Sequence, residues 1–139
     1  MAWVDQTYGY GSTLTAAKMT QLQANAVYVG NFKVMAIMRD TSLATGNVAY
    51  TGAGFLPKKI TLLAAGQYAS EGTHVGSTAR CYVTYGGIEL SALGRIYNST
   101  VTYYNTITLS SFDADGVTLT YTKTGSPTGT VDLFMILEG

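Results

Sequence analysis

Few side chains in this 139-residue chain can do acid–base, nucleophilic or metal chemistry. There is one histidine, His74, one cysteine, Cys81, and eight carboxylates scattered along the sequence. A hydrolytic triad, a nucleophile–base dyad or a zinc centre each needs a constellation that this inventory does not supply. Cys81 lies in the run Ala79-Arg-Cys-Tyr-Val-Thr-Tyr85, which alternates like a strand. It reads as a small apolar core residue, and a lone cysteine builds no internal disulfide. His74 reads as a strand or loop histidine with no chemical role. Asp113-Ala-Asp-Gly116 has the opening of a calcium loop. The downstream acidic ligands are missing, however, and strand-like runs flank it. Gly9-Tyr-Gly11 and Gly52-Ala-Gly54 lack the basic residue and helix start of a phosphate loop, so both read as turns. A glycan-cleaving enzyme needs paired carboxylates in a groove, whereas these fall mostly at turns and strand ends. The expectation is a protein that is not an enzyme, with no catalytic residues, no metal and no cofactor.

The eleven tyrosines are a richer signal. Tyr82, Tyr85, Tyr97, Tyr103, Tyr104 and Tyr121 all fall in strand-like runs. Most should pack their rings, with the hydroxyl reaching solvent or a backbone carbonyl. An aromatic face beside Asn, Thr and Gly hydrogen bonders also suits a sugar. Tyr68, Tyr97, Asn98 and Tyr104 are the candidates for contact with a glycan or receptor.

These residues sit on a chain of unusual balance. Hydrophobic residues make up 47% and charged residues 12%, against about 25% charged in ordinary soluble domains. Such a surface suggests burial against other copies. The eight basic and eight acidic residues cancel. No basic run marks a phosphate-binding face, so nucleic acid is not expected as a partner. No stretch approaches the roughly 18 apolar residues of a membrane helix, so membrane insertion is not expected. The first residues have neither a cationic start nor an apolar core, so synthesis in a cytoplasm without a signal peptide is expected.

The elements divide the chain in two. Residues 1–30 hold an aromatic, Gly-rich arm, Trp3 to Gly11, and a helix predicted from Thr15 to Tyr28, rich in Ala, Gln, Leu and Met. Met19, Leu22, Ala26 and Val29 are spaced three, four and three apart, a short apolar seam. That seam fits either the domain's own core or a sister copy. Residues 31–139 read as all β. Strands are expected at Lys33–Arg39, Asn47–Thr51, Lys58–Ala65, His74–Tyr85, Ile88–Tyr97, Val101–Phe112, Val117–Thr122 and Thr130–Leu137. Their spacing and turn residues predict a mainly β fold: a jelly-roll-like antiparallel β-sandwich preceded by the arm and one short helix. Asp115-Gly116 is the best hairpin signal.

Two kinds of strand occur. Val117-Thr-Leu-Thr-Tyr-Thr122 alternates, with Val117, Leu119 and Tyr121 inward and three threonines outward. Val34–Met38, Ile60–Ala65 and Leu133–Leu137 are apolar on both faces. One face of each would stay exposed in a monomer, so a homo-oligomer is expected. Candidate interface residues on the strands are Met35, Ile37, Phe134 and Ile136. On the N-terminal segment they are Trp3, Tyr8, Tyr10, Met19, Leu22 and Ala26.

Two separated motifs then carry a resemblance. One is Tyr50-Thr-Gly-Ala-Gly-Phe-Leu-Pro-Lys-Lys-Ile60. The other is Ser111-Phe-Asp-Ala-Asp-Gly-Val-Thr-Leu-Thr-Tyr121, followed by Gly125-Ser-Pro-Thr-Gly-Thr130 and an apolar last strand. The pair resembles a β-sandwich domain of tailed-bacteriophage and prophage virion proteins. The arm and Leu14-Thr-Ala-Ala-Lys-Met-Thr-Gln-Leu-Gln-Ala-Asn25 look like the start of small phage tail or head appendage proteins. The resemblance covers both ends and about half of the chain. Val117 departs from it, since an aromatic usually follows that glycine. With no fibre shaft in the sequence, a short knob, a capsid decoration protein or a small tail component is expected rather than a long tail fibre. The resemblance implies a virion structural protein, a homotrimer, held by its N-terminal arm to capsid or tail proteins. The alternative it leaves is a host-attachment tip that contacts a cell-surface glycan.

Overall fold

The structure is a computed structural model and describes residues 31–98 and 100–139. The predicted helix and the arm, with Trp3, Tyr8, Tyr10, Met19, Leu22 and Ala26, lie outside the described residues.

Ten strands form: β1 (Phe32–Asp40), β2 (Gly46–Thr51), β3 (Lys59–Ala65), β4 (Ala69–Val75), β5 (Thr78–Val83), β6 (Ile88–Leu90), β7 (Gly94–Tyr97), β8 (Tyr104–Asp113), β9 (Gly116–Thr124) and β10 (Thr130–Glu138). They make two antiparallel sheets, β1-β10-β3-β4-β5-β6 and β2-β9-β8-β7. The sheets face each other across a core, so the chain is a mainly β, antiparallel sandwich. β1 pairs with β10 and β2 with β9. These nested pairs give a jelly-roll-like outer wrap. Inside it, β3 to β6 and β7 to β9 pair with their sequence neighbours.

Alternation builds the core. Leu133, Met135 and Leu137 of β10, Ile60 and Leu62 of β3, and Val117, Leu119 and Tyr121 of β9 are all fully buried. Burying side chains of this size is worth about 1.5–3 kcal/mol each before entropy is counted. β8 contributes Ile107 and then changes parity. A bulge between Leu109 and Ser111 shifts the register, so that Phe112, opposite Val117, packs against the core.

Two strand expectations need revision. His74–Tyr85 is not one strand: Gly76, at φ 58°, turns the chain so that β4 and β5 pair as a hairpin. Ile88–Tyr97 is also two strands. β6 closes the wide sheet, and after residues 91–93 β7 joins the narrow one. Gly72 and Gly94 permit the close layer contact at that crossing. A Cβ on Gly72 would overlap the Leu93 carbonyl, and one on Gly94 would crowd Leu62.

Candidate functional site

Two surfaces stand out, and both follow from strand parity. The first is the outward face of the wide sheet. On β1, Met35 and Ile37 point inward and pack against the core. Its alternate residues point out: Phe32 is 53% exposed, Val34 52% and Met38 74%. On β10 the outward residues include Phe134, 44% exposed, and Ile136. Register then joins them. Val34 lies opposite Ile136, Ala36 opposite Phe134, and Phe134 opposite Leu63 of β3. The three strands that read as apolar on both faces are therefore adjacent, and their outward sides fuse into one patch.

The patch has a defined border. Continuing across the sheet, Leu63 faces Glu71, Glu71 faces Tyr82, and Tyr82 faces Glu89. The same row passes from apolar to acidic. At the end where β1 begins, Lys59 and Glu138 form an ion pair. Phe134 stands as a ridge between two grooves. One, of about 310 Å³, is lined by Leu63, Ala65 and Tyr82. The other, of about 220 Å³, is lined by Ala36 and Met38.

Of the strand residues singled out from sequence, Phe134 and Ile136 thus lie on this face, and Met35 and Ile37 lie on its inner side. Phe32, Val34, Met38 and Leu63 were missed. Charge spacing misdirects here, because Lys33 and Arg39 share the parity of Met35 and Ile37. Arg39 turns inward and is buried, with its guanidinium 4.2 Å from the centre of the Tyr121 ring. The cation–ring attraction replaces part of the hydration that burial removes.

The second surface is the sandwich end where β3–β4, β5–β6 and β7–β8 connect. Tyr68, Tyr97 and Tyr104 come together there, and Tyr85 joins them. Tyr68 and Tyr97 meet edge to face at 5.9 Å, and Tyr97 and Tyr104 lie 5.4 Å apart. Tyr85 is 4.8 Å from Tyr68. Arg95 stacks 4.2 Å over Tyr104. Tyr97 is buried, whereas Tyr85 and Tyr103 keep exposed rings. Asn98 is engaged with the backbone: its side-chain amide donates to the Thr128 carbonyl at 2.6 Å, pinning the β9–β10 loop.

At the opposite end, the two sequence motifs meet. The Asp115 carboxylate accepts hydrogen bonds from the Gly52 and Gly54 amides at 3.1 and 2.6 Å, and the Ala53 amide donates to the Asp115 carbonyl. The β2–β3 loop is thereby latched to the β8–β9 hairpin. Asp113 serves the hairpin itself. Hydrogen bonds from Thr118 and Ser111 hold its carboxyl below the ordinary value of 3.8. Asp113 thus accepts only from hydroxyls of its own hairpin, while Asp115 reaches across more than sixty positions.

The remaining chemistry-capable groups have structural surroundings. Cys81 is buried, and burial pushes its thiol above the ordinary range. His74 Nε2 is 3.1 Å from the Gly76 carbonyl across the β4–β5 turn, and its ring meets Phe112 edge to face. Among the described residues, no three of His, Cys, Asp and Glu gather as a metal site. Comparison of the chain with protein-family models, with curated proteins and with solved structures found no match.

Proposed function

We propose that the chain is a structural protein of a bacteriophage-type particle. It acts as an oligomeric appendage, fibre knob or decoration protein, with the sandwich turned outward and residues 1–30 forming the attachment side. The observation that carries this reading is the outward apolar patch of β1, β10 and β3, placed where residues 1–30 enter the sandwich. Contiguous apolar patches rimmed by charged residues commonly mark interaction surfaces. The motif pair that resembles virion sandwich domains supports the same reading, as does the low charge of the chain. The trimer rests on the resemblance.

Trp3, Tyr8 and Tyr10 are the proposed anchors, because large aromatics dominate interface energetics. Deleting residues 1–12 tests this. The shortened chain should keep the β spectrum of the sandwich yet disappear from purified particles made with it as the sole copy. Normal incorporation of the shortened chain would refute the attachment role.

A second reading is favoured by the gathered tyrosines. Tyr85 and Tyr103, exposed at one loop end beside Tyr68 and Tyr104, offer ring faces to a host glycan. Glycan-array binding that is lost in Tyr85→Ala would support a receptor-contacting tip. No binding to glycans or host envelopes would leave the architectural role alone.

A further inference from the structure

We infer that the β2–β3 loop of one copy seats in the groove beside Phe134 of the next copy, with Leu56 against Phe134 and Leu63, and Lys58 against Glu71. This rests on the assembly reading and names a contact through which copies join.

The loop is built as a peg. Asp115 accepts hydrogen bonds from the Gly52 and Gly54 amides, Phe55 packs against the core, and Pro57 is buried. Leu56 stands between these anchored neighbours yet is 53% exposed, and Lys58 is exposed two positions on. An apolar side chain on a loop already held in place loses little freedom when it docks.

The groove is shaped to receive it. It holds about 310 Å³ between Phe134 and Tyr82, floored by Leu63 and Ala65, with Glu71 in its wall. Leu63 and Glu71 are cross-strand partners, so an apolar and an anionic group stand about 5 Å apart. Leu56 and Lys58 offer an apolar and a cationic group at most about 7 Å apart along the backbone, and the flexible lysine stem absorbs the difference.

Charge and area select a second copy. Among the described residues the one ion pair is Lys59 with Glu138, which leaves Lys58 and Glu71 exposed and without an ionic partner. They do not meet within one chain, because the strand carries Leu63, opposite Glu71, about 16 Å from Lys58. The exposed apolar part of the wide sheet, with aromatic side chains of about 150–250 Å² each and smaller aliphatics, is on the order of 500 Å². A stable contact needs about 800 Å² from each partner. It must therefore extend past Leu63 onto the acidic wall, where a partner has to bring a cation. Peg and groove are unlike surfaces, so the contact is heterologous. It repeats from copy to copy and closes into a ring when the rotation permits.

Light scattering of the full-length chain across a dilution series tests the contact. Glu71→Lys and Lys58→Glu, both at exposed positions, should each raise the concentration of half-dissociation about ten-fold or more, because like charges then face each other. The β spectrum should stay unchanged. The double variant Glu71→Lys with Lys58→Glu should return the value close to that of the unaltered chain, since the pair is restored with its signs exchanged. Leu56→Asp should weaken the assembly at least as strongly as either single reversal. An assembled unaltered chain whose dilution profile neither single reversal changes would overturn the contact and assign the groove to another occupant. A double variant no better than the single ones would overturn the pairing of Lys58 with Glu71. An unaltered chain that is monomeric throughout the series would overturn the assembly reading and this contact with it, so the two failures are told apart.

Discussion

Tyr121 shows how much a single residue holds in this core. Its ring is fully buried on β9, its hydroxyl lies 2.8 Å from that of Tyr50, and Arg39 stacks on its face. Burial, reinforced by Tyr50, raises its pKa far above the ordinary 10, and Arg39 offsets this only in part. The sign follows from linkage. Stability gained by keeping Tyr121 neutral is complete below pH 10. It is lost as pH climbs further, because the unfolded tyrosine ionises first. Tyr121→Phe should cost about 1 kcal/mol at pH 7, one hydrogen bond's worth. It should also flatten the fall in stability above pH 10. Urea titrations at pH 7 and at several values above 10 measure both effects, and an unchanged alkaline slope would contradict them.

Asp115 and Gly116 make the other residue-level case. Their two-residue sequence reads as a hairpin, and a hairpin forms. The reach of the Asp115 carboxylate to Gly52 and Gly54 had no sequence signal, since the partners are backbone amides far along the chain. Asp115→Ala should lower stability by about 1–2 kcal/mol, as two partly exposed amides lose a charged acceptor. The urea midpoint should shift with an unchanged slope. Gly116→Ala should cost more, because the added Cβ would collide with the Tyr50 carbonyl at a backbone angle, φ 155°, that alanine rarely adopts.

At the scale of elements, legibility depended on contrast between the two faces of a strand. β9 alternates threonine with apolar residues, so its inward set of Val117, Leu119 and Tyr121 could be read directly. Val34 to Met38 of β1 carries no such contrast, and the charged Arg39 beside it turns inward. On β10, Asp132 and Glu138 share the parity of Phe134 and Ile136, so charge pointed outward correctly. The two merged strands failed for related reasons. A short Gly76-Ser77 pair makes the β4–β5 turn inside a run that otherwise reads as one strand. The sheet change at residues 91–93 depends on layer contacts that no local pattern records. Neighbouring residues on β10 should therefore respond oppositely to substitution. Met135→Ala, in the core, should cost about 2–5 kcal/mol in thermal or urea unfolding. Phe134→Ala, on the outer face, should cost far less. Equal costs for the two substitutions would contradict the assigned strand parity.

For the whole molecule, the grouping of β1, β10 and β3 changes how the low charge of the chain is read. Three separately exposed faces would demand several partners. One fused patch demands one cover. The sandwich then presents its tyrosine-bearing end and its threonine-rich narrow sheet to the surroundings. The narrow-sheet surface is built for solvent: Thr118, Thr120 and Thr122 point outward, and Thr120 bonds to Asn47 at 2.8 Å. Assembly is thus the central claim, and it is tested most directly by multi-angle light scattering of the full-length chain at micromolar concentration. The expected mass is a whole multiple of the 14.7 kDa chain, a trimer by the resemblance, and a stable monomer at that concentration would contradict it.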